Sequence, residues 1–247
     1  MNFLSLFKRN LIYKFKKKIS IDSDDILKET LDELFHHYGS DKANTFTKDK
    51  KKGHGFSKFY ERNLSKLKKK NINILELGSY AGASAAAFAK YFPSSNIFCF
   101  DVNISNFKYK SKKIHVFGID IKDEKKIQIT LRKIFKQHNF DKFDIIIDDG
   151  SHFLSEMLIG LKVFFKYVKK GGFFIIEDFM HPNYYEYNRN IDHILIDKFL
   201  NNIKNKKITS SNIINQNDQI AIINSIEIIE IFKGNLNDSD ICFIGKN

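Results

Sequence analysis

The chain has 247 residues, a formal net charge of +12 at pH 7 and two cysteines. This length suits one well-buried α/β domain with a small appendage, and two cysteines exclude a disulfide-rich scaffold. No run approaches the roughly 18 apolar residues of a membrane span, and the first 20 residues lack the features of a secretory signal peptide. Because Cys99 and Cys242 also lie inside apolar runs, we predict a cytoplasmic protein.

The positive charge is concentrated in the N-terminal part of the chain. Residues 1–70 contain 18 Lys and Arg against nine Asp and Glu, whereas residues 71–247 are nearly balanced. Such a region binds nucleic acid, an anionic substrate or a membrane surface in some proteins. Residue-usage bias is another explanation for this positive charge, because the whole chain is rich in Lys, Ile, Asn and Phe. We favour that bias and do not expect nucleic acid as a partner.

The first predicted helix covers residues 3–16. It places Leu4, Phe7, Leu11 and Phe15 at helical spacing with lysines elsewhere, which is typical of a basic amphipathic helix. Three roles fit such a helix: packing on its own domain, packing on a second subunit of a homo-oligomer, or peripheral contact with an anionic membrane. We favour packing over the membrane.

Two more helices are predicted in residues 1–70, which we interpret as a basic helical extension. One begins after the N-cap signal Asp22-Ser23 and carries Ile26, Leu27 and Leu31. The other covers about 56–69, after a polar loop at 37–55.

Residues 71–247 alternate between short apolar strands and helices, which predicts one α/β domain. The predicted strands cover 72–77, 97–100, 114–117, 143–147, 173–177, 226–232 and 241–244. The predicted helices cover 83–91, 123–137, 153–168 and 190–210, with a turn at 171–172. This alternation argues for a doubly wound, mostly parallel seven-stranded sheet that ends in an antiparallel hairpin.

Two acidic clusters follow the ends of predicted strands. Asp148 and Asp149 follow one strand, and Glu177 and Asp178 end another. Ligands of an open parallel sheet gather outside the carboxyl ends of its strands, so these carboxylates are expected around one crevice. That concentration of negative charge needs a cation, and a hard divalent ion such as Mg²⁺ is the best candidate. Solvated acids that cap helices are the alternative.

A loop with two glycines joins the first strand of this domain to an Ala-rich helix. Gly78 and Gly82 permit tight turning, but their spacing is not that of a dinucleotide-binding loop. Glu76 suits a cationic group, and Asp101, which ends the next strand, can accept hydrogen bonds from ribose hydroxyls. These residues predict a ligand with an adenosyl ribose, a positive amino-acid part and no phosphate, which describes S-adenosylmethionine.

These residues and their neighbours resemble a class I S-adenosylmethionine-dependent methyltransferase. The stretches that carry the resemblance are 74–84, Asp101, 118–120 and 148–152. More narrowly, other stretches resemble the metal-dependent sugar O-methyltransferases of the mycinamicin type: 38–42, 54–56, Tyr60 and 177–178. The resemblance covers residues 36–182 and implies a Rossmann-like fold with S-adenosylmethionine and Mg²⁺ as cofactors.

The resemblance also implies roles for individual residues. It implies His152 as the general base and Asp149, Glu177 and Asp178 as Mg²⁺ ligands. It further implies a cofactor-binding set, which comprises Glu76, Gly78, Ser79, Gly82, Ser84, Asp101, Asp120 and Asp148.

We therefore expect an O-methyltransferase that acts on a hydroxyl group of a sugar or of a glycosylated small molecule. The alternatives are a nucleic-acid methyltransferase that uses the basic N-terminal segment, and a non-catalytic scaffold with a cofactor fold. Tyr184, Tyr185 and Tyr187 follow the last predicted metal ligand. They wall an acceptor site or pack a loop, and the sequence leaves both interpretations open.

Overall fold

A computed structural model describes residues 3–24, 29–46, 50–191 and 194–247. The α-helices of these residues are α1 Phe3–Phe15, α2 Leu31–Tyr38, α3 Ser57–Leu64, α4 Ala83–Tyr91, α5 Glu124–His138, α6 Leu154–Phe164, α7 His181–Tyr184, α8 Ile196–Lys204 and α9 Gln216–Ser225. Their strands are β1 Ile19–Ser20, β2 Ile72–Leu77, β3 Ser95–Asp101, β4 Tyr109–Lys110, β5 Ile114–Gly118, β6 Phe143–Asp148, β7 Val168–Glu177, β8 Ile226–Lys233 and β9 Asp240–Lys246.

Seven of these strands form one mostly parallel sheet in the order β5-β3-β2-β6-β7-β9-β8. β3 pairs in parallel with both β2 and β5, and β6 pairs in parallel with β7. β9 runs antiparallel to both β7 and β8, and so closes the sheet with a hairpin. The predicted fold class is confirmed.

The described chain divides into two compact units. The first unit extends to Asp120 and also includes Gly234–Ser239. The second unit comprises Ile121–Lys233 and Asp240–Asn247. The division into an extension of residues 1–70 and a domain of residues 71–247 is drawn on charge and pattern, and it stays a prediction.

An aromatic cluster joins α2, α3 and α4 in the first unit. The ring of Phe35 lies 6.1 Å from that of Tyr60 and 5.3 Å from that of Phe88, and the latter two rings are also 5.3 Å apart. Edge-on aromatic pairs at these distances stabilise a core beyond the area that they bury. The predicted N-terminal helices α2 and α3 are thus part of this core.

The start of α2 differs from the prediction. The helix begins at Leu31, because Thr30 and Glu33 form a capping box at its N-terminus. The prediction of a start after Ser23 was wrong, and its positions Ile26 and Leu27 lie outside the described residues.

The predicted turn at residues 171–172 is a β-bulge inside β7. Phe143 pairs with Val168, but Ile145 pairs with Phe173, so β7 holds extra residues between the two pairs. A Cβ atom on Gly172 would lie 2.4 Å from the carbonyl oxygen of Asp144, and glycine is therefore required there. The strand consequently begins five residues before its predicted start.

Four of the described helices and strands had no counterpart in the prediction: α7, α9, β1 and β4. Helix α9 begins after Asn215, whose side chain accepts a hydrogen bond from the Asp218 N–H. Strands β1 and β4 form a separate two-stranded parallel sheet in the first unit. Cys99 and Cys242 are buried thiols, as predicted, and no helix in the described ranges is long and apolar enough to cross a bilayer.

Candidate active site

The loop at residues 78–82 connects β2 to α4 and has an unusual backbone. Gly78, Tyr80 and Gly82 all have positive φ, at 85°, 41° and 78°. Glycine adopts this left-handed region without steric cost, whereas a residue with a Cβ atom is destabilised by about 1 kcal/mol. The Gly82 N–H donates to the Ser79 carbonyl at 2.7 Å, which closes the turn.

The carboxylate of Asp101 holds this loop. Its Oδ2 accepts a hydrogen bond from the Tyr80 N–H at 2.7 Å, and its Oδ1 accepts one from the Asn103 N–H at 2.5 Å. Bonds from backbone N–H groups to a carboxylate are strong and offset the cost of the left-handed Tyr80. Asp120 follows β5 and is half-buried. The contacts of Asp101 and Asp120 with a ribose stay predictions.

Glu76 and Ser84 contact each other at the base of the loop. Glu76 is fully buried, and its Oε1 accepts a hydrogen bond from the Ser84 hydroxyl at 2.5 Å. The hydroxyl of Ser79 donates to the Glu76 carbonyl at 3.4 Å. These contacts join the end of β2 to the first turn of α4, so Glu76 supports the loop from within. Its predicted contact with a cationic ligand is not tested.

Asp148 ends β6 and has a perturbed carboxyl group. Burial raises its pKa to about 8, and the neighbouring Asp149 charge adds to that rise. Its Oδ2 is buried without a hydrogen-bond partner. A Cβ atom on Gly160 in α6 would lie 2.5 Å from this oxygen, so only glycine leaves room for the carboxyl group. Sequence reasoning missed Gly160, for which the available signal was a glycine inside a helical pattern.

Asp149, His152 and Asp178 converge in the second unit. One ligand atom from each residue lies within 4.8 Å of the other two. The Nε2 atom of His152 lies 4.0 Å from the Oδ1 atom of Asp149. The three residues follow β6 and β7, which are parallel neighbours, and the predicted meeting of the two strand ends is therefore observed. We call these three residues the metal cluster.

Two members of the metal cluster have a left-handed backbone. The φ angles of His152 and Asp178 are 57° and 47°. Such a conformation costs a residue with a Cβ atom about 1–2 kcal/mol. Strain of this kind persists where surrounding contacts enforce it, commonly at functional sites. Here the Asp178 carbonyl accepts a hydrogen bond from the His181 N–H at 2.8 Å.

The metal cluster includes the residue that the resemblance implies as the base but only two of the three residues that it implies as metal ligands. Glu177, implied as a metal ligand, is buried at the end of β7 and is not one of the three converging residues. His152, implied as the base, is one of them. Two carboxylates fit a hard cation such as Mg²⁺, whereas an imidazole nitrogen suits transition metals better. The ligand role of Glu177 stays a prediction.

A row of rings leads from His152 to solvent. Ring centroids are 5.5 Å apart for His152 and His181, 4.3 Å for His181 and Tyr185, and 5.8 Å for Tyr185 and Tyr187. Both tyrosines are exposed. We call these four residues the ring row, which sequence reasoning found only in part because His181 gave no signal.

Tyr184 has a different role from its two neighbours. Its hydroxyl donates to Asp240 Oδ2 at 3.0 Å and accepts a hydrogen bond from Lys233 Nζ at 2.9 Å. These contacts attach the segment after β7 to the hairpin strands. Tyr184 therefore packs a loop, and Tyr185 and Tyr187 belong to the ring row.

The two N-terminal motifs, residues 38–42 and 54–56, contact each other in the first unit. The His54 N–H donates to the Asp41 carbonyl at 2.7 Å, and the Phe56 N–H donates to the Lys42 carbonyl at 2.8 Å. Backbone hydrogen bonds thus hold the two motifs together.

Curated proteins that are similar to this chain have the names of O-methyltransferases. No family model matches the chain. The L-olivosyl-oleandolide 3-O-methyltransferase of Streptomyces antibioticus is 30% identical over 155 residues, which is 60% of this chain and 36% of that protein. The mycinamicin VI 2''-O-methyltransferase of Micromonospora griseorubida is 25% identical over 132 residues, which is 51% of this chain and 31% of that protein. The chain thus spans about a third of the length of these curated relatives.

A solved structure shows the same fold. The MycE methyltransferase from the mycinamycin biosynthetic pathway, in complex with Mg, SAH and mycinamycin VI, has a TM-score of 0.66 and 20% identity. The match covers 89% of this chain and 55% of that one. The resemblance to mycinamicin-type sugar O-methyltransferases is confirmed.

Proposed function

We propose that the chain is an S-adenosylmethionine- and Mg²⁺-dependent O-methyltransferase that acts on a hydroxyl group of a sugar or glycosylated small molecule, in the cytoplasm. The convergence of Asp149, His152 and Asp178 carries this proposal. A base beside two carboxylates suits the removal of a proton from a weakly acidic hydroxyl group. The names of the relatives, which include an L-olivosyl-oleandolide 3-O-methyltransferase, support the same acceptor class.

The loop at 78–82 and Asp101 hold the methyl donor in this proposal. Gly78 and Gly82 present backbone without Cβ atoms, which permits close approach of a ligand. Asp101 fixes the shape of the loop, while its remaining lone pairs can accept hydrogen bonds from ribose hydroxyl groups. S-adenosylmethionine, when bound, supplies a methyl group that is transferred from sulfur to the acceptor oxygen.

Asp149 and Asp178 hold the cation in this proposal, with Glu177 as a further ligand. Carboxylate oxygens are the protein ligands that Mg²⁺ prefers, and the two aspartates offer them from neighbouring strand ends. Mg²⁺, when bound, lowers the pKa of a hydroxyl group that contacts it.

His152 receives the proton of the acceptor hydroxyl group. An imidazole can accept a proton near neutral pH, and the Nε2 atom of His152 lies 4.0 Å from the Oδ1 atom of Asp149, beside the proposed cation ligands. The half-buried position of His152 limits the access of water without excluding a ligand. Its left-handed backbone conformation accompanies the position of the side chain beside Asp149 and Asp178.

The ring row receives the sugar part of the acceptor. Tyr185 and Tyr187 expose aromatic faces within one row that starts at His152. Aromatic side chains supply large, rigid contact area with a polar end, which suits the mixed apolar and hydroxylated faces of a sugar ring. This arrangement supports a saccharide acceptor.

The proposal is tested by measuring S-adenosylhomocysteine formation with a panel of deoxysugar glycosides and nucleotide sugars. We expect turnover with a subset of glycosides, its loss in EDTA and its recovery with excess Mg²⁺. Activity that survives chelation on every acceptor would overturn the metal assignment. Asp101→Ala should weaken S-adenosylhomocysteine binding in calorimetry, and unchanged binding would overturn the donor assignment.

A further inference from the structure

Helix α1 is attached to the first unit by one face. Leu6 is buried, and the ring of Tyr13 packs edge-on against Phe107 with centroids 6.3 Å apart. Asn10 lies so close to Gly118 that a Cβ atom there would overlap its side chain. Because Leu6, Asn10 and Tyr13 are spaced by four and three residues, they share one face of the helix.

Polar contacts fix α1 in this orientation. Lys16 Nζ donates to the carbonyl oxygens of Ser105 and Asn106 at 2.8 and 3.1 Å. Arg9 Nη1 donates to the Val102 carbonyl at 3.2 Å. The helix therefore presents a defined opposite face to solvent.

That opposite face is apolar. It carries five large side chains that are between 46% and 77% exposed, and we call them the apolar stripe: Leu4, Phe7, Leu11, Ile12 and Phe15. Four of them are spaced by three and four residues, so they form a continuous line along the helix. Contiguous exposed apolar patches of this kind mark interaction sites on monomeric proteins.

The charges around the stripe indicate its partner. Residues 3–18 contain six Lys and Arg and no Asp or Glu. Lys8, Lys14 and Lys17 are exposed. A second copy of α1 would bring the same positive charges to a symmetric contact, which like-charge repulsion opposes. An anionic surface complements both features.

We propose that the apolar stripe docks the protein on an anionic lipid surface. The helix lies in the plane of the membrane, with its apolar side chains at the boundary between headgroups and acyl chains. Lys8, Lys14 and Lys17 contact anionic headgroups, and each contributes a factor of about five to the affinity. The stripe has no residue in common with the metal cluster or the loop at 78–82, so this inference is independent of the proposed function.

Co-sedimentation with lipid vesicles tests this proposal on the full chain. We expect binding to phosphatidylcholine vesicles that contain about one third phosphatidylglycerol, weaker binding as salt rises, and little binding to pure phosphatidylcholine. The double variant Phe7→Ser, Phe15→Ser should lose at least about tenfold in affinity. The double variant Lys8→Glu, Lys14→Glu should lose a similar factor, at least about tenfold.

Ile129→Ser is the matched control, since Ile129 is an exposed apolar residue of α5 outside the stripe. It should bind vesicles as the wild type does. Thermal unfolding and S-adenosylhomocysteine affinity establish that the stripe variant is folded, and both should match the wild type because Phe7 and Phe15 are exposed.

Two results would overturn the proposal: wild-type protein that does not bind anionic vesicles, or a stripe variant that binds them equally well. A concentration-dependent dimer in analytical ultracentrifugation, lost in the stripe variant and accompanied by no vesicle binding, would instead assign the stripe to a second copy of the chain.

Discussion

The loop at 78–82 and the metal cluster use the same backbone region with different residues. Gly78 and Gly82 adopt left-handed φ angles of 85° and 78° in the loop, whereas His152 and Asp178 adopt 57° and 47° in the metal cluster. Glycine suffices where the backbone itself shapes a site. A strained residue is retained where its side chain carries a ligand atom or a proton. The comparison predicts that replacing a glycine of the loop lowers stability. It also predicts that a glycine introduced at a strained position of the metal cluster gives a more stable protein than an alanine there.

Removal of a metal-cluster carboxylate should have the largest effect. Asp149→Ala and Asp178→Ala should each abolish turnover in the S-adenosylhomocysteine assay, because the proposed Mg²⁺ site loses a ligand. Their affinity for S-adenosylhomocysteine, measured by calorimetry, should stay within several-fold of the wild type. Asp141→Ala removes an exposed acid before β6 and serves as the control. Loss of donor affinity alone in Asp149→Ala would place this carboxylate in the donor site.

His152→Ala should lower the rate by a factor of about 10²–10⁴, the usual contribution of a general base. Part of the activity should return at high pH, because hydroxide then removes the proton that His152 accepts in the proposed function. A pH–rate profile of the variant and the wild type measures this recovery. Full activity of His152→Ala at neutral pH would contradict the base assignment.

Asp148→Asn should change how stability depends on pH. Burial raises the pKa of Asp148 from 3.8 to about 8, so folding favours its protonated form. Its contribution to stability is therefore complete below pH 3.8 and is lost as the pH rises through about 8. Between about pH 5 and about pH 9, the free energy of unfolding of the wild type should fall by a few kcal/mol more than that of the neutral variant.

Urea unfolding in the presence of a chelator measures this difference, because a bound cation would itself favour the ionised carboxyl group. If the free energy of unfolding changed with pH by the same amount in both proteins, Asp148 would be ionised in the folded state.

Gly82→Ala should destabilise the first unit by about 2 kcal/mol, since alanine is strained at this φ and its Cβ atom crowds a neighbour. That atom would lie 2.4 Å from the buried ring of Phe107. Gly39→Ala is the matched control, because Gly39 has the same φ of 78° with nothing within 4 Å of its Cβ position. It should cost only about 1 kcal/mol in urea unfolding. An equal loss of unfolding free energy in the two variants would show that the Phe107 contact does not contribute.

His152→Gly should have the smallest and most diagnostic effect. It should be more stable than His152→Ala by about 1 kcal/mol, because glycine relieves the left-handed strain. Both variants should be equally impaired in turnover. Urea unfolding compares them, and a less stable His152→Gly would contradict the account of strain in the metal cluster.

Local sequence signals located much of the fold. The predicted bounds of β2 and α4, 72–77 and 83–91, match the structure. Apolar periodicity determines the type of these elements, and Gly78, Gly82 and Pro93 mark their ends. Residues that are close in the sequence therefore suffice to predict the bounds. The acidic strand ends were predictable in the same way, since parallel strands place their carboxyl ends at one edge.

Contacts between distant residues explain what the sequence did not reveal. The bulge in β7 depends on Asp144 facing Gly172, and the buried Asp148 depends on Gly160 in α6. The ring row likewise depends on His181 lying between His152 and Tyr185. His181 and Tyr185 are one helical turn apart, but the other three pairs follow no helical or strand period, so only the folded chain brings them together.

The ring row also makes the proposed acceptor site visible by fluorescence. The chain contains ten tyrosines and no tryptophan, so tyrosine emission is not lost by energy transfer to an indole. Tyr185 and Tyr187 lie in a row that starts at the metal cluster. A ligand that stacks on them alters the intrinsic emission of the unlabelled protein, and Tyr187→Phe identifies the part of the signal that comes from the row.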